Sequence, residues 1–243
     1  MRLLRAGVAA FLIMGIANAS RAGEALNQAP QLQAAVSAAL EEFAVPGAAV
    51  GLWTPNGHWT ATIGLGNVAV QRPVTRRDHF ATRSITKSFV VTLVLQLVAQ
   101  SAGSISLDDP IARYLPGIPN GGKITLRELA NMTSGLYDYT RDPALGQAFQ
   151  EDPKREWTTD ELLAFAFNSP SHPPIDFDPG TRYEYANTNT LVLGKFIEAV
   201  TSKAFNDVPR EQILSPLDLD STFYLTGTQL PAGRRAWLSG RHP

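Results

Sequence analysis

Cysteine is absent from the 243 residues. That excludes a disulfide scaffold, a cysteine zinc site, an iron–sulfur cluster and a cysteine nucleophile. Histidine is scarce too: four residues, at 58, 79, 172 and 242, are too scattered for a His-rich metal site. Neither sign of charge is in surplus, since 21 Lys and Arg face 22 Asp and Glu for a net charge of −1. Nucleic acid is therefore not an electrostatic partner. With 44% hydrophobic and 18% charged residues, the composition is that of a globular protein and excludes disorder, collagen and a coiled coil.

What is present starts with a leader-like segment. Arg2 and Arg5 precede an apolar or small run, Ala6 to Ile16, and Ala17-Asn18-Ala19 fits the small-x-small pattern of a signal-peptidase site. The run is far short of the ~20 residues that a membrane span needs. Residues 1–19 therefore read as a secretory signal peptide, with a periplasmic or secreted location and no stable membrane span.

Beyond the leader, Leu32, Val36, Leu40 and Phe43 recur at helical spacing until Pro46-Gly47. Ala48–Trp53 and Trp59–Leu65 read as two strands joined at Pro55-Asn56-Gly57, whose Asn-Gly pair predicts an antiparallel hairpin. From Ser84 the character changes. Apolar residues from Ile85 to Ala99 leave only a thin polar line at Ser84, Ser88, Thr92, Gln96 and Gln100, which predicts a helix buried inside a core. Short helices and loops follow. Thr125 with Glu128, and Thr158 with Glu161, form two capping boxes, with stops expected at Gly135 and Ser169-Pro170. Asn187 fits the cap of a helix from Thr188 to about Val200. The organisation read from this is a leader at 1–19, a helix and hairpin at 20–83, a mainly helical region at 84–225 and an atypical tail at 226–243.

Chemistry enters at Ser84-Ile85-Thr86-Lys87. Residues i and i+3 share a helix face, so the Lys87 amine can reach the Ser84 hydroxyl. A serine hydroxyl attacks poorly until a base takes its proton, and a desolvated lysine amine can be that base. A helix start also supplies N–H groups and a positive dipole end for a developing oxyanion. Tyr185-Ala186-Asn187 is the second element: a phenol can relay a proton, and a side-chain amide both donates and accepts. The same residues also fit a capping serine, a lysine running out to solvent, a packed tyrosine and a simple N-cap.

In order along the chain stand V-P-G-A from Val45, R-S-I-T-K-S-F from Arg83 and L-D-D-P-I-A-R-Y-L-P from Leu107. I-T-L-R-E-L-A-N-M-T-S-G-L-Y-D-Y from Ile124, P-G-T-R-Y-E-Y-A-N-T-N from Pro179 and P-L-D-L-D-S-T-F-Y from Pro216 complete the series. With these stretches the chain resembles the serine β-lactamase and penicillin-binding-protein superfamily. It is most similar to secreted D-alanyl-D-alanine carboxypeptidases related to class C β-lactamases and serine esterases. The resemblance implies an α+β, β-lactamase/transpeptidase-like fold: a helical domain beside an antiparallel sheet flanked by helices, with the site in the cleft between them. It makes Ser84 the acylated nucleophile, Lys87 its proton acceptor and Tyr185 the general acid/base. Asn187 becomes the polar residue that steadies the lysine and binds the substrate amide. No metal or organic cofactor is implied. The partner is a small molecule or peptide: a D-Ala-D-Ala peptide, a β-lactam or an ester.

Three departures stand out. Met132 replaces a histidine before T-S-G, at a position expected to be supportive. Pro209 falls where a helix is expected and should interrupt it. No K-T-G or H-x-G follows at the distance the family uses; Thr226-Gly227 comes too soon after Tyr185, and His242 is followed only by Pro243. The expectation is an incomplete sheet of two strands and a weakly active or ligand-binding relative.

Overall fold

The computed structural model describes residues 29–55 and 57–225. The expected leader and the tail at 226–243 lie outside them. Two compact units divide between Phe80 and Ala81.

The first unit opens with helix α1 (Ala29–Glu42), with Pro30 in its first turn, where a missing N–H costs nothing. Ala44 in the left-handed region ends it, and Pro46 leads into the sheet. Strands β1 (Gly47–Thr54) and β2 (Gly57–Asn67) pair antiparallel from Gly47↔Gly64 to Thr54↔Gly57. This is the hairpin that the Asn-Gly turn predicts. Gly64 has to be glycine: its φ is 76°, and a Cβ there would stand 2.3 Å from the Pro46 carbonyl oxygen.

A third strand corrects the expectation of two. β3 (Arg72–Pro73) pairs with β2 at Leu65 and Asn67, across a register shift. Alternation gave no sign of it, because a two-residue strand has no period. Side chains hold it instead: Arg72 donates to both oxygens of the buried Asp78 carboxylate, at 3.0 and 2.9 Å.

The second unit contains a continuous apolar core. A 3-10 turn (Arg83–Ile85) feeds helix α2 (Thr86–Gln100), and helices α3 (Leu126–Ala130), α4 (Pro143–Glu151), α5 (Thr159–Phe167) and α6 (Asn187–Thr201) follow. Both expected capping boxes form: the Thr125 and Thr158 hydroxyls accept from the Glu128 and Glu161 N–H groups, and each glutamate accepts the threonine's N–H in return. The helices stop at Ala130 and Phe167, a few residues before Gly135 and Ser169-Pro170. Leu93 and Val94 of α2, Leu126 and Leu129 of α3, and Val192 and Phe196 of α6 are fully buried together. The Tyr114 ring stands edge-on to Phe196 at 4.9 Å. Burying a side chain such as Phe196 contributes about 1.5–3 kcal/mol.

Helix α2 differs from its expectation. Only Val90, Leu93 and Val94 of it are buried, while Leu95 is 48% exposed and Ile85, in the turn just before it, 62%. Its apolar composition exceeds what one packed face requires. Pro209 also behaves differently from a breaker. It ends the three-residue helix α7 (Asp207–Pro209), which widens into a π-helical turn (Arg210–Leu214). In a first turn the N–H that proline lacks has no intrahelical acceptor, so the helical path continues.

Candidate active site

Every residue expected at the site belongs to the second unit. Arg83, at φ 49°, sets the chain into the 3-10 turn and leaves Ser84 exposed at the entrance to α2. Lys87, three residues on, is half-buried, and its Nζ donates to Ser84 Oγ at 3.2 Å. From 101 residues away, the Tyr185 hydroxyl lies 2.8 Å from the same oxygen. The Asn187 Oδ1 accepts from Lys87 Nζ at 2.7 Å and from the Tyr185 hydroxyl at 3.4 Å. The lysine Nζ also stands 4.8 Å from the centre of the Tyr185 ring, a cation–π distance. Lys87 and Tyr185 thus meet at the Ser84 hydroxyl, and Asn187 holds both of them. Ser88 and Ser134 are engaged elsewhere: Ser88 Oγ donates to the Ile85 carbonyl at 2.6 Å, and Ser134 Oγ to Asn189 Oδ1 at 2.5 Å.

Electrostatics bias the phenol. Burial pushes Tyr185 up, and the Asp138 charge adds to this. Its hydrogen bonds with Lys87 and Ser84, together with the lysine charge, outweigh both and hold it below the ordinary tyrosine value. Deprotonation near the serine is thereby made easier.

The position of Tyr185 and Asn187 is set by a loop against the first turn of α6. Gly135 lets that loop turn sharply: its φ is 77°, and a Cβ would stand 2.0 Å from the Phe177 carbonyl oxygen. Glu184 N–H donates to the Met132 carbonyl at 2.9 Å, which carries the chain to Tyr185. Three consecutive side chains then latch α6 to the loop. Asn187 Nδ2 donates to Asp138 Oδ2 at 3.1 Å. The Thr188 hydroxyl donates to the Tyr137 carbonyl at 2.6 Å and accepts from Tyr139 N–H at 3.0 Å. Asn189 accepts from Ser134 and donates to the Met132 sulfur at 3.2 Å. Met132 is therefore a buried support for Asn189.

One expectation is corrected here. Asn187 does not cap α6: the N-cap position is Ala186, with no side-chain cap bond, and Asn187 is the first helical residue. Its amide faces Lys87 and Asp138 instead. Asp138 itself was missed from sequence. It lies inside the T-S-G-L-Y-D-Y stretch, but an aspartate before a turn reads as a local cap, and nothing in the spacing links it to residue 187. Among the described residues, no three His, Asp or Glu side chains are grouped to hold a metal ion, and no helix is long and apolar enough to cross a membrane.

A serine hydroxyl between a lysine amine and a phenol is the arrangement of a Ser–Lys acyl-transfer site. The beta-lactamase family model matches residues 32–243. The chain belongs to the beta-lactamase family. Penicillin-binding protein 4 of Amycolatopsis lactamdurans is 28% identical over 190 residues, covering 76% of this chain and 46% of that protein. A D-stereospecific amidohydrolase from Streptomyces sp. superposes with a TM-score of 0.62 at 38% identity, over 72% of this chain and 50% of its own. The D-amino acid amidase from Ochrobactrum anthropi SV3, complexed with L-phenylalanine amide, gives a TM-score of 0.71 at 28% identity, over 87% and 57%. The chain thus spans about half the length of these relatives. The α+β, β-lactamase-like fold class is the one expected from the resemblance.

Proposed function

We propose that the protein is a serine hydrolase working through an acyl-enzyme on Ser84. The observation that carries this reading is the convergence of Lys87 Nζ and the Tyr185 hydroxyl on Ser84 Oγ, at 3.2 and 2.8 Å. Lys87 takes the serine proton as Oγ bonds to the carbonyl carbon. Tyr185 hands a proton to the leaving nitrogen as the carbon–nitrogen bond breaks. Water then cleaves the ester and restores Ser84. Asn187 keeps Lys87 in place and offers its amide to the substrate.

The substrate class we favour is an amide whose acyl side is a D-amino acid. The D-Ala-D-Ala carboxypeptidase reading falls within this class. Two structural relatives, an amidohydrolase named as D-stereospecific and a D-amino acid amidase, support it. Esters and β-lactams are the alternatives, because the same three groups serve them. Hydrolysis of D- and L-amino acid p-nitroanilides, a D-Ala-D-Ala peptide, a p-nitrophenyl ester and a chromogenic cephalosporin separates these. The expected result is preference for the D-amide and the D-Ala-D-Ala peptide, abolished in Ser84→Ala. Intact-mass mapping of a penicillin adduct to any other serine, or activity surviving in Ser84→Ala, overturns the reading.

Export belongs to the same proposal, supported by the arginine-flanked apolar start and Ala17-Asn18-Ala19. N-terminal sequencing of periplasmic or secreted protein is expected to begin after Ala19. A chain that keeps Met1, or that is recovered only from cytoplasm, refutes it.

A further inference from the structure

Asp138 is 6% exposed, and its carboxylate has more contacts than a turn cap requires. Oδ1 accepts from Thr140 N–H at 3.1 Å, which closes the 3-10 turn Tyr139–Arg141. Oδ2 accepts from Asn187 Nδ2 at 3.1 Å, 49 residues away in sequence. A side-chain amide can present either its oxygen or its nitrogen to a neighbour, and most groups around Asn187 tolerate both. The Thr140 hydroxyl, 3.4 Å from Nδ2, can donate or accept, and so can the Tyr185 hydroxyl, 3.4 Å from Oδ1. A neutral Lys87 amine can do both as well. An ionised carboxylate only accepts. Asp138 therefore fixes which way round the amide stands whether or not the lysine carries a proton to donate: nitrogen toward Asp138, oxygen toward Lys87.

We infer that Asp138 is a positioning residue whose buried carboxylate locks the Asn187 amide with Oδ1 toward Lys87, keeping the lysine against Ser84. This role rests on the proposed acyl-enzyme function. Without the lock, a flipped Asn187 would present N–H to an amine that has to donate to Oδ1 when charged. The lysine would then be free to leave the 3.2 Å contact with Ser84. Charge enters too. The Lys87 and Asp138 charges act on the Tyr185 phenol, and Tyr185 in turn acts on the Tyr139 phenol. Because the Asp138 charge helps to push the phenol up, removing it should move the alkaline-falling limb of the acylation profile, where Tyr185 loses the proton that it gives to the leaving nitrogen, to lower pH.

Two variants divide the structural role from the positioning one. Asp138→Ser keeps an oxygen for Thr140 N–H but cannot hold Asn187, and Asp138→Asn keeps the shape but loses the obligate acceptor. Both are expected to melt within a few degrees of the parent. Both should acylate Ser84 with a fluorescent penicillin at least about tenfold more slowly, the loss falling on the acylation rate rather than on binding. In an Asn187→Ala background the further loss should be under about threefold, because the partner through which Asp138 acts is already gone. Amide-proton exchange of the Asn187 side chain in ¹⁵N-labelled protein, assigned by its disappearance in Asn187→Ala, should accelerate at least about tenfold in either variant. Parental labelling rates in the variants, an equal loss in both backgrounds, or unchanged Asn187 amide exchange overturns the inference. If the parent chain itself is not labelled at Ser84, the proposed function fails, and the amide-exchange measurement still decides the positioning role.

Discussion

Ser84 stands exposed on a 3-10 turn, while Thr188 and Asn189, next to Asn187 on α6, are fully buried. The Ser84 side of the site is a short turn with Lys87 half-buried behind it. The anchoring side is a loop clamped to a helix by Asp138, Thr188, Asn189 and Ser134, all within the protein interior. The contrast is chemical. A group that has to meet substrate needs access, whereas a group that has to fix an angle needs partners that water cannot replace. Changes on the exposed side should therefore alter rate and leave folding intact, and changes on the buried side should reach rate only through stability or geometry.

The strongest way to break this comparison is at Lys87. Lys87→Arg keeps the positive charge and loses the base, because a guanidinium does not deprotonate near neutral pH. Acylation should fall at least ~10²-fold with an unchanged melting temperature. Rates within a factor of a few of the parent would make the lysine a structural residue. Next comes Tyr185→Phe, which removes the 2.8 Å contact to Ser84 and keeps the ring over Lys87. A loss of at least about tenfold in acylation is expected, again without unfolding. Stopped-flow labelling and circular dichroism melts on the same samples read both quantities.

On the buried side the loss falls on stability instead of rate. Thr188→Val preserves shape but strips the Tyr137 carbonyl and the Tyr139 N–H of their shared hydroxyl. Each group left without a partner costs about 1–3 kcal/mol, to be read by urea denaturation. A stability within experimental error of the parent would show that the clamp is dispensable. The smallest effect concerns Asp142, a buried carboxylate that accepts from Ala144 N–H at 2.7 Å and lies 3.1 Å from His172 Nε2. Burial pushes its pKa up, but hydrogen bonds from Ser169, Ala144 N–H and His172 outweigh that and hold it below the usual carboxylate value. A carboxyl lowered by folding stabilises at pH values above its unfolded pKa, and that contribution fades as pH drops through the folded value. The difference in denaturation midpoint between the parent and Asp142→Asn should thus be held at pH values above the ordinary carboxylate range and shrink as pH falls below it. A gap that stays constant across this range would remove the carboxylate charge from the explanation.

Much of the molecule could be read from local sequence. The Asn-Gly turn implied the hairpin, and Thr-x-x-Glu implied two helix starts, because each rests on contacts within a few residues. Ser84 and Lys87 were legible for the same reason, being three residues apart. Tyr185 and Asn187 stood out by their chemistry, and the resemblance to a known family linked them to Ser84, which no periodicity could have done. Asp138 escaped both, since its carboxylate finds its use only once α6 packs beside its loop. Asn187 looked like a cap until that packing gave its amide two better partners. β3 was hidden because two residues carry no alternation, and the exposed side of α2 because apolar composition states what a helix can bury, not what covers it.

By itself, then, the sequence determined the elements whose hydrogen bonds close within one turn and the chemical inventory of the site: a serine, an amine, a phenol and an amide. Only tertiary structure decided that the amine and the phenol meet at the serine oxygen, that the amide joins the two and reaches the Asp138 carboxylate, and which faces of the helices are dry. The physical reason is separation along the chain. A cap is decided by neighbours that are never far away. A contact across 101 residues forms only when burial of Leu93, Leu126, Val192 and Phe196 in a common core brings α2 and α6 together.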